Sequence, residues 1–441
     1  MSAPAETRAA ARPRSIHRRG RLIQPAARRT SRLATVSCGA VLLYGLAALV
    51  VLPEGDSSLL ARLISAAALV ASASVAVAVV RWKATRARGA MMLLLGFTMM
   101  AVTGGVVAKR LVDEVSLVDL LGAAASVAGV ILVIAGWKLS LAGIARRWLR
   151  TTVAIVATLL IAQFLLLPAG IALDVTNRPR PTGSSRTPAD VGLRFQDVRI
   201  RGAGGTLLSA WWIAPENGAA IVLLPGSGST RHAVLDHAAL VARHGYGALL
   251  LDWRGHGESE GRSMEFGWGA ETDVSAAVSF ALGRPGVTRG VAVLGLSLGG
   301  EVGLAATALD PRIEAAVVEG ISARSWADAR LEPDPHPVGY VNQWLTFVLV
   351  DVLAPEPRPL PLIDLVTRIQ APVLMISGAP SNEQKIDPVY AAAAPDVITL
   401  WPLPDSPHTQ ALGTHPAEYE HRVISVFDGA LLGNGAVAPN G

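Results

Sequence analysis

The sequence is short of charge and of cysteine. Asp, Glu, Lys and Arg make up 17% of the 441 residues, against about a quarter in an ordinary soluble domain. The one cysteine, Cys38, cannot form an internal disulfide and has no second Cys or His beside it, so we interpret it as a small apolar side chain. With 51% hydrophobic residues and a mean hydropathy of +0.42, disorder is excluded, and part of the chain is expected to avoid water.

The positive charge is concentrated in the first half of the chain. Residues 1–173 carry 20 Lys and Arg against 6 Asp and Glu, whereas residues 174–441 carry 19 against 28. A nucleic-acid-binding surface would cluster its basic residues on one folded face, with aromatic or polar readers among them. Here the basic residues separate apolar runs, so no nucleic-acid partner is expected.

Five stretches of the first half contain no charged residue, and each is about as long as the roughly 20-residue helix that crosses a bilayer. We therefore predict an all-α bundle of five transmembrane helices over residues 33–173, preceded by a basic cytoplasmic tail at 1–32. Small residues abound in these stretches, which favours close helix packing and a compact anchor. Because no charge lies within them, an ion or proton path is disfavoured. The predicted spans are 33–53, 63–80, 89–108, 120–137 and 151–173.

The Lys and Arg residues around these spans predict their orientation. With the N-terminus in the cytoplasm, the inner segments carry 17 Lys and Arg against 6 in the outer segments, as the positive-inside rule requires. An odd number of spans then places the second half of the chain outside the cytoplasm. We therefore expect a multi-pass protein of the plasma membrane, with the lipid bilayer as its partner; protein partners cannot be read from the sequence.

The second half has the pattern of a mainly parallel sheet. Residues 174–191 are rich in Pro, Arg, Thr and Ser and are predicted to form an extended linker. Over residues 192–432, short apolar runs alternate with helical patterns, which is typical of a sheet with helices on both faces. An opening hairpin and six further runs predict eight strands, and residues 433–441 are expected to be a flexible tail. The runs are 195–200, 207–213, 220–224, 248–252, 290–294, 313–318, 372–376 and 397–400.

The strongest chemical signal is a G-x-S-x-G motif at residues 295–299, with Ser297 at its centre. An apolar strand precedes it and a helix rich in small residues follows. A nucleophile on such a sharp turn projects its hydroxyl from the sheet edge, and the flanking glycines leave room for the strained backbone. In this context the motif predicts a catalytic serine rather than a structural glycine turn.

A second glycine-rich loop follows the predicted third strand, at residues 225–228. Acyl transfer requires two backbone N–H groups that stabilise the developing oxyanion, one after the nucleophile and one from the loop after the third strand. We predict that Leu298 and Ser227 supply them, with Gly228 as an alternative to Ser227. A phosphate-binding loop is disfavoured because the G-K-[ST] ending is missing.

Together these motifs resemble the α/β-hydrolase superfamily, in its dienelactone-hydrolase-like and serine-aminopeptidase-like branch, over residues 192–432. The resemblance also rests on the D-W-R-G-H-G-E-S segment at 252–259 and on the C-terminal His408. It implies that Asp252, Arg254 and Gly255 are structural and that His256 is a loop histidine. It also implies the chain order serine, acid, histidine, so His408, after the last predicted strand, is the expected general base.

The acid of the site is less clearly marked. The family usually places an Asp in a G-x-x-D loop after the seventh strand, but Ser381 or Asn382 occupies that place here. A carboxylate is needed to hold the imidazole tautomer, and Glu383 is the nearest. Asp387 is an alternative, although it would also suit the N-cap of a helix beginning at Pro388, and a more distant alternative is Glu319.

Residues 321–362, between the sixth and seventh predicted strands, read as a cap insertion. An apolar run at 344–350 would suit an acyl chain, the membrane surface or ordinary packing.

These motifs and spans together predict a membrane-anchored serine hydrolase that acts on a small-molecule or lipid acyl substrate. An acyltransferase and a catalytically silent receptor or scaffold are the alternatives. No cluster of His, Cys and Asp has ligand spacing, so neither a metal nor a cofactor is expected.

Overall fold

The computed structural model describes residues 85–110, 117–177, 180–263, 265–354, 356–379 and 383–433. The basic tail, the first two predicted spans and residues 434–441 lie outside the described residues. The described chain divides between Ile155 and Val156 into two compact units, which we describe separately.

In the first unit, helices α1 (Thr85–Arg110) and α2 (Leu117–Ser140) pack against each other through glycines. A Cβ at Gly96 would lie 2.7 Å from the carbonyl oxygen of Gly129, and a Cβ at Gly129 would lie 2.9 Å from that of Gly96. A Cβ at Gly136 would likewise lie 2.8 Å from the carbonyl oxygen of Gly89. The backbones therefore meet directly, which is the close approach that small residues permit.

The next helical segment contains the fifth predicted span. It consists of α3 (Arg147–Ile161), a π-helical turn (Ala162–Leu166) and α4 (Leu167–Asn177). Pro168 explains the π turn, because proline has no N–H to bond the preceding turn and its ring crowds that turn's carbonyl.

We call residues Arg147–Thr176 of this segment the long apolar helix. Its most apolar 18-residue window has a mean hydropathy of 2.2. Among the described residues it is the one helix that is long and apolar enough to cross a membrane. The third and fourth predicted spans lie within α1 and α2. The five-helix transmembrane bundle therefore stays a prediction.

The predicted linker is partly helical. The long apolar segment ends at Asn177, inside the stretch that we expected to be extended, and residues 188–191 form a 3₁₀ turn. Thr187 and Asp190 cap that turn reciprocally, with the Thr187 N–H donating to Asp190 Oδ2 at 2.7 Å. Between these elements, the Gly257 N–H donates to the carbonyl of Pro181 at 2.9 Å. This part of the linker therefore packs on the segment after β4 rather than extending into solvent.

The second unit contains one eight-stranded sheet in the order β1-β2-β4-β3-β5-β6-β7-β8. The hairpin β1–β2 and the β2–β4 pair are antiparallel, and all the other neighbours are parallel. All eight predicted strands are confirmed, with small shifts at their ends. The strands are β1 (Gln196–Arg201), β2 (Leu207–Ile213), β3 (Ala219–Leu224), β4 (Gly247–Leu251), β5 (Gly290–Leu296), β6 (Ile313–Glu319), β7 (Val373–Gly378) and β8 (Ile398–Leu403).

Helices cover both faces of this sheet. The helices are α5 (Leu235–Arg243), α6 (Glu271–Leu282), α7 (Leu298–Leu309), α8 (Trp326–Ala329), α9 (Pro337–Leu353), α10 (Leu362–Val366), α11 (Glu383–Ala393), α12 (Ala411–Thr414) and α13 (Pro416–Phe427). Strand β3 is buried along its whole length and alternates between two apolar clusters. Val222 packs with α6 and α7 on one face, and Ile221 packs with α5 and α13 on the other. Each such fully buried Val or Ile contributes about 1.5–3 kcal/mol.

The parallel strands bring several loops to one edge of the sheet. Ser297 follows β5 directly, Glu319 ends β6, and the loop that carries His408 follows β8. Carboxyl ends of parallel strands form the usual ligand-binding edge of such sheets. The cap insertion, with α8 and α9, lies between β6 and β7 as predicted.

Candidate active site

Ser297 sits on a strained turn between β5 and α7. Its φ of 52° and ψ of −120° lie outside the regions that a non-glycine residue prefers. A Cβ at Gly299 would collide with the carbonyl of Leu224, and one at Gly295 would collide with the backbone of Gly299. Both glycines of the motif are therefore required by the close approach of neighbouring backbone.

The structure places Ser297, His408 and Glu383 in one hydrogen-bonded row. The Ser297 hydroxyl lies 3.0 Å from Nε2 of His408, and Nδ1 of His408 lies 3.3 Å from Oε1 of Glu383. The His408 side chain is half exposed, whereas that of Glu383 is buried. The bond to Glu383 raises the pKa of His408 above its ordinary value, against the opposing effect of burial.

The backbone around His408 is shaped to hold the imidazole. Thr409 has a φ of 53°, a positive value that non-glycine residues rarely adopt. Gly320 lies against the ring, since a Cβ there would be 2.8 Å from Cε1 of His408. Strain of this kind is kept where the surroundings impose it, and it often marks functional sites.

Asp387 does not contact His408. It lies one turn after Glu383 on α11, is fully buried and faces the Ser377 side. Burial raises the pKa of Asp387 to about 9, so this carboxyl is neutral at pH 7. The helix-cap interpretation of Asp387 is wrong, because α11 begins at Glu383 and places Pro388 inside the helix.

Glu319 joins the two loops rather than the imidazole. Its backbone carbonyl accepts the Ser297 N–H at 2.7 Å, and its carboxylate accepts the Ala411 N–H at 2.8 Å. The side chain is buried, and burial raises its pKa to about 7. Glu319 therefore connects the serine turn to the loop that carries His408.

The loop after β3 passes directly beside Ser297. A Cβ at Gly226 would lie 3.3 Å from the Ser297 Cβ. Leu298 begins α7, where backbone N–H groups lack partners inside the helix. Both predicted oxyanion positions, Ser227 and Leu298, thus flank Ser297. Gly228, with a φ of 66°, is on the same loop, and the choice between it and Ser227 stays a prediction.

The segment after β4 supports the site without entering it. The carboxylate of Asp252 accepts the backbone N–H of Arg231 at 2.8 Å, and Nε of Arg254 lies 2.7 Å from Oδ2 of Asp273. Gly255 has a φ of 69°. His256 is buried and lies 3.3 Å from Glu265 rather than beside Ser297.

Ser297 and His408 line a cavity of about 570 Å³, which we call the Ser297 cavity. Its apolar wall includes Ala233, Leu296 and Leu412. A second cavity, of about 490 Å³, lies under the cap helix α9. Among the described residues no group of three or more His, Cys, Asp or Glu is placed to hold a metal ion.

Residues 215–355, about a third of the chain, match the family described as serine aminopeptidase, S33. That match covers β3 to α9, including the serine turn. Together with the mostly parallel eight-stranded sheet, this match supports an α/β-hydrolase fold for the second unit, which we call the hydrolase domain. The superfamily resemblance is supported over the matched residues, and the fusion to a multi-span membrane region stays a prediction.

Three known proteins are similar to parts of this chain. The alpha/beta hydrolase domain-containing protein WAV2 of Arabidopsis thaliana is 27% identical over 218 residues, which are 47% of this chain and 70% of that protein. The polyketide transferase grgF of a Penicillium species is 35% identical over 133 residues, which are 27% of this chain and 43% of that protein. The solved esterase Pf2001 of Pyrococcus furiosus has a TM-score of 0.49 and 23% identity, and the match covers 58% of this chain and 98% of that chain.

Sequence reasoning missed Glu265 of the hydrolase domain. Its buried carboxylate accepts the hydroxyls of Ser227 and, at 2.7 Å, Ser263. It therefore holds the predicted oxyanion loop through the side chain of Ser227. Only the M-E-F run around it was visible in the sequence, with no motif to separate it from an exposed acid.

Proposed function

We propose that the protein is a membrane-anchored serine hydrolase that cleaves an ester, thioester or amide through an acyl-serine intermediate. The observation that carries this proposal is the row of Glu383, His408 and Ser297 at the wall of an open cavity. The three residue types, their order and their distances are those that nucleophilic acyl transfer requires.

The geometry supports a two-step reaction. Nε2 of His408 takes the hydroxyl proton as Ser297 Oγ attacks the acyl carbon, and the N–H groups of Leu298 and Ser227, or Gly228, stabilise the oxyanion. The protonated imidazole, stabilised by Glu383, then donates its proton to the leaving group, which departs as an alcohol, thiol or amine. In the second step His408 takes a proton from water as the water oxygen attacks the acyl carbon, and it returns the proton to Ser297 Oγ as the acyl–Oγ bond breaks and the acid leaves.

The Ser297 cavity favours a neutral acyl group. Of the described residues that line it, Asp236 is the one carboxylate, and none is Lys or Arg. His237, also in the wall, is neutral because burial lowers its pKa to about 4. An apolar acyl chain would meet Ala233, Leu296 and Leu412. A small-molecule or lipid ester fits this lining better than an anionic substrate.

The anchoring part of the proposal rests on the long apolar helix and on the basic residues of the first half. Only 6% of the most apolar window of that helix is buried inside the protein. An apolar surface of this length is stable in lipid, where backbone groups are already bonded within the helix. The excess of Lys and Arg on one side supports a hydrolase domain outside the cytoplasm.

An active-site fluorophosphonate probe tests the chemistry on the full chain in membranes. Labelling of the wild type and loss of labelling in Ser297→Ala are expected, since the probe reacts with an activated serine. Exposed Ser184 gives a matched control, because Ser184→Ala should label like the wild type. Equal labelling of Ser297→Ala and the wild type would refute the proposal.

Carbonate extraction tests the anchor: release of the full chain into the soluble fraction would contradict membrane insertion.

Acyl transfer to an acceptor other than water is the second candidate. The similarity to the Penicillium polyketide transferase favours it, since an acyl-serine can pass to an alcohol as well as to water. Measuring the ratio of acid to transfer product with glycerol or a sugar alcohol present would decide between them. The catalytically silent scaffold is disfavoured, because Glu383 lies 3.3 Å from His408 and can act as the acid.

A further inference from the structure

The cap helix α9 turns an apolar face to the outside. Its inward face is buried, with Val350 fully enclosed and Thr346 and Phe347 nearly so. The opposite face carries exposed apolar side chains at helical spacing, with Val352 77% exposed. We call these residues the α9 stripe: Val338, Val341, Trp344, Val348 and Val352.

The composition of α9 is unusual for a helix on a protein surface. Among its 17 residues the one charged side chain is Asp351, and its carboxylate pairs with Arg358. Surface helices of soluble domains carry charged and polar residues on the outer face. A contiguous apolar patch in their place marks an interaction site.

The position of α9 is set by the end of the long apolar helix. Ala172 and Val175 of that helix form a buried cluster with Val350 and Trp268. The Glu265 N–H donates to the carbonyl of Val175 at 2.9 Å, which ties the same turn to the hydrolase domain. Helix α9, which carries the stripe, is therefore packed beside the last turns of the long apolar helix.

The length of the uncharged stretch places these last turns at the membrane interface. The uncharged stretch runs from Thr151, after Arg150, to Leu173, before Asp174. At 1.5 Å per residue it measures about 35 Å, close to the hydrocarbon thickness of about 30 Å. Its last residues therefore reach the outer boundary between acyl chains and headgroups. A tryptophan such as Trp344 is favoured at this depth.

We propose that the α9 stripe lies in the outer interface of the phospholipid bilayer that the long apolar helix crosses. This inference rests on the proposed membrane anchoring. Lipid is the occupant because the neighbouring exposed surface, including Leu165 and Leu167, is apolar as well and continues into the span. The hydrolase domain is thus held against the membrane at two places, the span and the cap.

Fluorescence quenching by lipid tests the two contacts separately. Because Cys38 is the one cysteine, a Cys38→Ser background allows single reporters in the full chain. Val348→Cys reports on the stripe and Leu159→Cys on the middle of the span. Leu309→Cys is the matched control, an exposed apolar residue at the end of α7 in the same domain. Each is labelled with an environment-sensitive fluorophore in phosphatidylcholine vesicles that contain lipids with a nitroxide near the headgroup or deep in the acyl chain.

We expect the shallow nitroxide to quench the label at Val348 at least about twofold more than the label at Leu309. We expect the deep nitroxide to quench the label at Leu159 most. Equal quenching at Val348 and Leu309, with Leu159 quenched, would overturn the inference and leave the anchor standing, with protein covering the stripe. No quenching at Leu159 would refute the anchor itself. Trp344→Cys repeats the test if Val348→Cys loses its cooperative thermal unfolding.

Discussion

Glu383 and Asp387 lie one turn apart on α11, both buried, yet only Glu383 reaches the imidazole of His408. Two carboxyl groups in such similar positions differ through their partners. Glu383 bonds an imidazole, whereas burial keeps Asp387 protonated, with a pKa of about 9. This contrast provides a direct test of which carboxyl serves the reaction.

Replacing each carboxyl by its amide should separate the two roles. Glu383→Gln removes the charge that orients and stabilises the imidazolium, so kcat for a soluble ester should fall about 10³-fold or more. Asp387→Asn replaces a neutral acid by a neutral amide of the same shape, so kcat should stay within about threefold of the wild type. Steady-state kinetics of both variants give the answer. The reverse order of losses would assign the acid to Asp387.

The pH dependence of activity should follow His408. The bond to Glu383 raises the pKa of His408 above its ordinary value of 6.5, and only the neutral imidazole can accept the serine proton. kcat/KM should therefore fall about tenfold per pH unit below a midpoint higher than 6.5. In Glu383→Gln the residual activity should show its midpoint at lower pH. A midpoint that does not move in that variant would contradict the contact.

Stability should depend on pH through Asp387. Its pKa is raised from 3.8 to about 9 in the folded state, so between these values the native protein holds a proton that the unfolded chain releases. The free energy of unfolding therefore decreases as pH rises through this window. Asn has no such proton, so the Tm of Asp387→Asn relative to the wild type should rise by several degrees from pH 5 to pH 9.

The control for this experiment is Asp396→Asn, which changes an exposed carboxyl after α11. Its Tm difference from the wild type should stay nearly constant with pH. A constant difference for Asp387→Asn as well would show that Asp387 is ionised in the folded protein.

Glu319 should act through its acceptor oxygen. Glu319→Leu removes the carboxylate that holds the Ala411 N–H, while the backbone bond to Ser297 remains. We expect kcat to fall about tenfold, with less effect on KM, since an unpaired buried N–H costs about 1–3 kcal/mol and the His408 loop loosens. Glu319→Gln keeps an acceptor oxygen and should retain most of the activity. Equal losses in both variants would point to the charge of Glu319 instead of its hydrogen bond.

The serine turn could be predicted because its determinants are adjacent in the chain. Strand β5, Ser297 with its flanking glycines and helix α7 follow one another without interruption, and the apolar runs on either side have clear periods. The eight strands were predictable for the same reason. Their order in the sheet, with β4 beside β2, depends instead on pairing between distant segments.

The acid and its supports could not be decided in this way. Whether Glu383 or Asp387 reaches Nδ1 of His408 depends on where α11 begins and which of its faces meets the β8 loop. Glu265 holds the Ser227 loop from a segment 38 residues away in the chain. The α9 stripe was visible as an apolar run, but only packing shows that Phe347 points inward and Trp344 outward.

The sequence by itself determined the strands, the serine turn and the apolar stretches, because these depend on local periodicity and on glycine at fixed spacing. The tertiary structure alone decided which carboxyl faces His408, which residue ties the two loops together and which side of α9 is exposed. Those outcomes depend on distances between segments that are far apart in the chain, and no local pattern encodes such distances.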